Sequence, residues 1–101
     1  MPEEPRKHIT EAVGGRFVAP LSHEERAEHE RVRTLLRAVM SAYNGLIGTA
    51  IDESRRAELE AELAVHTERF RRVVGLSAEE RAEVLRTYPD LLARLRADLG
   101  E

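Results

Sequence analysis

The chain predicts an all-α fold: a three-helix bundle, or an antiparallel helical hairpin plus a third, Pro-kinked helix, behind an irregular N-terminal arm. Three observations predict it. Apolar residues recur at spacings of three and four in three separate stretches. Two of those stretches open on Ser-x-x-Glu, the pattern of a helix capping box. The composition is rich in Leu, Ala, Val, Arg and Glu with only 4% aromatics, which favours helix over sheet.

Residues 1–21 read as the arm. Pro2, Pro5, Gly14, Gly15 and Pro20 punctuate it, so a long helix is not expected there. His8–Val13 has room for one helical turn and Arg16–Ala19 for an extended stretch. Phe17 and Val18 are the residues expected to dock the arm on the body.

The remainder, 22–101, reads as one helical domain. Ser22-His23-Glu24-Glu25 starts a helix over about 22–46, with a stripe at Val32, Leu35, Leu36, Val39, Met40, Tyr43, Leu46 and Ile47. Asn44-Gly45 and Gly48 then supply turn chemistry. Asp52 is a fair N-cap for a helix over about 52–74, whose stripe is Leu59, Leu63, Phe70, Val73 and Val74. Gly75 is the expected glycine beyond its end, and Arg69, Arg71 and Arg72 suit the negative end of its dipole. Ser77-Ala78-Glu79-Glu80 starts a third helix over about 77–99, with a stripe at Val84, Leu85, Tyr88, Leu91, Leu92, Leu95 and Leu99. Pro89 interrupts that stripe without shifting its phase. It predicts either one kinked helix or two short ones meeting at Tyr88-Pro89.

The net charge of −3 falls wholly in residues 51–101 and no segment is net basic, so a basic stripe for nucleic acid is not expected. The best local basic candidate is Arg69, Arg71 and Arg72. With no cysteine, disulfides, thiolate metal sites and cysteine nucleophiles are excluded. No stretch reaches the roughly 18 apolar residues of a membrane span, and MPEEPRKHIT has no apolar signal core. A cytoplasmic protein without a membrane partner is the expectation. Three stripes with few aromatics make a thin core, which favours self-association as a homo-oligomer or docking on a protein partner.

One phrase occurs twice: Leu21-Ser22-His23-Glu24-Glu25-Arg26-Ala27-Glu28 and Leu76-Ser77-Ala78-Glu79-Glu80-Arg81-Ala82-Glu83. Each Ser caps and the second Glu closes the box. The Arg and the last Glu are expected on solvated faces. The sequences that follow do not track each other, so the phrase reads as two helix starts rather than a duplicated repeat.

The histidines offer a site. His29 and His66 lie on apolar stripes, and each follows a glutamate by four residues, Glu25 and Glu62. Residues four apart share a helix face. With a hairpin turn centred near Gly48, His29 and His66 would stand level on facing helices. Two imidazoles and two carboxylates inside a bundle form a ligand set for a divalent metal such as zinc or manganese. The spacing is Glu-x-x-x-His rather than the Glu-x-x-His of di-iron bundles, and Glu25 already has a capping role. Packing or a proton-sensing imidazole are the competing roles for these histidines. Tyr43 and Tyr88 lie on stripes, where a packed ring with a hydrogen-bonded hydroxyl is expected. No phosphate loop and no Gly-x-Ser-x-Gly elbow occurs. The functional expectation is a helical interaction or accessory module, with a small metal-binding protein as the alternative.

Overall fold

A computed structural model describes residues 21–101. The arm expectations for His8–Val13, Phe17 and Val18 lie outside the described residues. Three α-helices follow in order: α1, His23–Thr49; α2, Glu53–Arg71; and α3, Ala78–Leu99. A 3-10 turn, Val73–Gly75, joins α2 to α3. Among the described residues no helix is long and apolar enough to cross a membrane.

The helix starts follow from local chemistry. Ser22 Oγ accepts from the Glu25 N–H at 3.0 Å, and Glu25 Oε1 accepts from the Ser22 N–H at 2.9 Å. Ser77 and Glu80 repeat that exchange at 3.1 Å in both directions. Asp52 caps α2 by accepting from the Ser54 N–H at 3.1 Å. Each such cap contributes about 1 kcal/mol by satisfying otherwise orphaned backbone donors. At the other end, Gly100 adopts φ +90 and closes α3. The Gly100 N–H donates to the Ala97 carbonyl and the Glu101 N–H to the Arg96 carbonyl, the Schellman pairing.

Two expectations about helix ends are corrected, and one left open is decided. First, α1 does not turn at Asn44-Gly45 or Gly48; it runs through both to Thr49. Leu46 is buried and Ile47 packs on the core, so continuing the helix gains tertiary contacts that outweigh the roughly 1 kcal/mol cost of each glycine. Gly45 also admits Leu99: a Cβ there would lie 3.1 Å from a Leu99 methyl. Second, α2 ends at Arg71, and the 3-10 turn takes over without a left-handed glycine at Gly75. Third, of the two alternatives at Pro89 the structure takes the single helix, which runs unbroken through the proline. The stripe on both sides of Pro89 packs against α1, and that burial offsets the lost backbone bond.

α1 is the shared wall of the bundle. Both α2 and α3 pack along it, whereas the backbones of α2 and α3 approach each other little. The core is built from Val32, Leu36, Val39, Ala42, Tyr43 and Leu46 of α1 and Val84, Tyr88, Leu92 and Leu95 of α3. Leu59 is the one buried side chain that α2 adds, and Val73 and Leu76 come from the connection. The short link Ala50–Asp52 sets α2 antiparallel to α1, and the Arg56 guanidinium donates to the Ala50 carbonyl at 2.6 Å to close it. α3 returns parallel to α1, so the two copies of the repeated phrase start neighbouring helices at the same end. There the Arg81 guanidinium reaches Glu28 at 3.2 Å.

Candidate functional site

The polar chemistry of the interior gathers where one side chain from each helix meets. His66 of α2 stacks on Tyr43 of α1, with ring centroids 5.4 Å apart and planes 22° apart. Tyr88 of α3 meets the same imidazole edge-on at 5.2 Å and 83°. His66 Nδ1 and the Tyr88 hydroxyl share a short hydrogen bond, and Arg69 Nη1 donates to that hydroxyl at 3.4 Å. The Arg69 guanidinium also lies 5.9 Å from the Tyr88 ring centroid. On the other side the Tyr43 hydroxyl donates to Glu62 Oε1 at 2.9 Å. Both tyrosines of the chain therefore converge on one histidine.

The electrostatics favour neutral groups throughout. Burial, the hydrogen bond to Glu62 and its charge push the Tyr43 hydroxyl up to about 12. Burial raises Tyr88 as well, with the Arg69 charge acting in the opposite direction. Burial lowers His66 below its ordinary value; the Arg69 charge adds to this and Glu62 opposes it. A general acid–base pair needs values moved toward the working pH. Here the imidazole and both phenols are moved away from ionisation at neutral pH, which suits packing and hydrogen bonding.

The four residues expected to hold a metal do not assemble. Glu25 closes the capping box of α1. Glu62 accepts from Tyr43, four residues from His66 on α2. His29 lies in a separate shallow groove with Leu21, Arg26, Arg33 and Val74. The expectation that His29 and His66 stand level is corrected: the turn lies at Ala50–Asp52 rather than near Gly48, which moves the level of His66 about six residues along α1, and the Tyr43 and His66 side chains meet across the rest of the offset. His66 sits against Tyr43, fourteen residues along α1 from His29, or about 21 Å of helix. Among the described residues no group of three or more His, Cys, Asp or Glu side chains is placed to hold a metal ion.

The basic candidate on α2 is likewise engaged. Arg71 pairs with Glu68 at 3.0 Å, Arg72 with Glu80 at 3.5 Å, and Arg69 turns inward to Tyr88. Outside the aromatic cluster, an open groove runs between α2 and α3. Val65, Arg69, Leu91 and Arg94 are among the residues lining it.

The cluster was partly legible in the sequence. His66, Tyr43 and Tyr88 all sit on apolar stripes, which announces buried polar atoms in need of partners. Their meeting, and the part played by Arg69, depend on the α1–α2 register. Comparison with known proteins finds no matching family model, no matching curated protein and no matching solved structure.

Proposed function

We propose that the chain is a small helical interaction or accessory module that acts as a dimer or docked on a larger protein. The observation that supports it is the imbalance of α2. This helix adds Leu59 alone to the buried core, while Val65 on its outer side is 61% exposed. The links at its two ends expose Ile51 at 97% and Val74 at 81%. A domain this small buries a limited share of its surface, so covering the α2 side would add stability that the isolated fold lacks. The groove beside Val65 offers apolar stems flanked by guanidinium groups, a mixture common at protein interfaces. A cytoplasmic setting, in keeping with the cysteine-free chain, belongs to the same proposal.

Sedimentation velocity over a wide concentration range, with Val65→Glu beside the wild type, tests this reading. A dimer, or a complex captured by a photo-crosslinker placed at Val65, is the expected result, and Val65→Glu weakens it. A wild type that stays monomeric and captures no protein sinks the proposal.

A further inference from the structure

We propose that His66 is an acid-sensitive latch: while neutral it holds α2 to α3 through Tyr88, and its protonation frees α2 from the α1–α3 pair. This does not rest on the interaction reading. It starts from how α2 is held. The backbones of α2 and α3 make little contact. Among the described residues their polar side-chain links are the His66–Tyr88 and Arg69–Tyr88 hydrogen bonds and, beside the connection, the partly exposed Arg72–Glu80 pair. Into the shared core α2 sends Leu59 fully buried, with Leu63 and Phe70 half-buried, and to α1 it has the Tyr43–Glu62 hydrogen bond and the Tyr43–His66 stack.

The hydrogen count at the Tyr88 oxygen selects the charge on His66. Arg69 can only donate to that oxygen. The Tyr88 proton needs an acceptor, and His66 Nδ1 is the one within reach. So the imidazole carries its proton on Nε2 and leaves Nδ1 bare. No buried side-chain nitrogen or oxygen among the described residues then lacks a partner. A proton added to Nδ1 would make both neighbours of the Tyr88 oxygen donors and strand the Tyr88 hydrogen without an acceptor in a site where Tyr88 is 2% exposed.

The charged surroundings do not rescue the imidazolium. Tyr43 faces the ring from α1 as a neutral phenol. On α2 itself, Glu62 favours the cation and Arg69 opposes it. From α3, Tyr88 faces the ring, and Glu83, Arg86, Asp90 and Arg94 line the same groove. Glu62 is already bound by Tyr43, and Glu83 pairs with Arg86. Burial and the crowding at Tyr88 therefore decide, in agreement with the lowered His66 value.

The sign follows from linkage. The unfolded chain takes up the proton near the ordinary histidine value of about 6.5, and the folded chain takes it up only at lower pH. The latch contributes fully above 6.5 and is lost as the pH falls toward the folded value. Glu80, held below the ordinary carboxylate value of 4.5 by its Ser77 cap, begins to lose its contribution only as the pH falls below 4.5.

Proton NMR of the imidazole rings, with amide exchange followed on the full chain, tests the latch. His66 should titrate below the ordinary histidine value of about 6.5. Between pH 7 and 5.5, exchange on α2, corrected for intrinsic rates, should accelerate more than on α1 and α3, by up to about tenfold in all, because pH 5.5 lies about one unit below the ordinary histidine value. Tyr88→Phe, which removes the donor to Nδ1, should move the His66 titration upward. His66→Asn keeps an acceptor near Nδ1 and should abolish the pH dependence on α2. A wild-type His66 that titrates at or above about 6.5, or equal acceleration across all three helices, overturns the proposal. So does an unchanged acid response in His66→Asn.

Discussion

α2 and α3 lean on the same helix and are held by different chemistry. α3 sets four buried side chains, Val84, Tyr88, Leu92 and Leu95, against α1. α2 sets one fully buried side chain, Leu59, with Leu63 and Phe70 only half-buried, and adds polar links, Tyr43 to Glu62 and His66 to Tyr88. Apolar burial is insensitive to pH and tolerates imperfect geometry. Hydrogen bonds net only about 1 kcal/mol each and fail when a proton is added or removed. The bundle thus joins a firm parallel pair, α1 with α3, to a helix whose attachment depends on protonation.

The largest test of that contrast is truncation of one buried leucine on each side. Leu95→Ala should cost about 2–5 kcal/mol and weaken amide protection in α1 and α3 together. Leu59→Ala should cost a similar amount, but with the loss concentrated in α2 while α1 and α3 keep their protection. Denaturant melts combined with hydrogen exchange read both. If α2 in the wild type is as protected as α3, the contrast breaks.

A smaller change addresses the polar side. Tyr43→Phe removes the hydroxyl that donates to Glu62 and should cost about 1 kcal/mol, felt chiefly in α2. The same hydroxyl gives an alkaline signature. Its folded value, pushed up to about 12 from 10, means the neutral phenol is favoured by folding. That contribution is complete below pH 10 and is lost as the pH rises toward 12. Ultraviolet titration should show one of the two tyrosines ionising near that upper value.

At the helix starts, Ser77→Ala should cost about 1 kcal/mol by removing the cap of α3. Ser22→Ala should cost about as much, because both boxes have the same geometry. Thermal melts of the pair check this. The smallest effect runs the other way. A Cβ at Gly48 meets nothing within 4 Å. Gly48→Ala should therefore stabilise the protein by about 0.5–1 kcal/mol, since Ala favours the helix interior. A destabilised Gly48→Ala would restore the turn that the sequence alone suggests at this position.

The repeated phrase shows how far local reading reaches. Both serines cap and both second glutamates close the box, as their spacing implies. In both copies the arginine also reaches back to the leucine five residues earlier: Arg26 to the Leu21 carbonyl and Arg81 to that of Leu76, each at 2.8 Å. The expectation of solvated arginines fails for the second copy. The Arg81 side chain is 15% exposed because Glu28 of the parallel helix approaches it. Nothing within either phrase specifies that pairing.

By itself the sequence determined the all-α class, the three helix starts and the residues competent to face a core. Each follows from contacts within a few positions of the chain: a side chain returning to its own backbone, or a stripe repeating each turn. Only the tertiary structure decided that α1 passes through Gly45 and Gly48, that His29 and His66 stand apart, and that Tyr43, His66 and Tyr88 meet. Those outcomes depend on the energy of packing one helix against another. A shift of the turn by a few residues moves each cross-helix neighbour by about twice as many, and so decides which polar groups find partners.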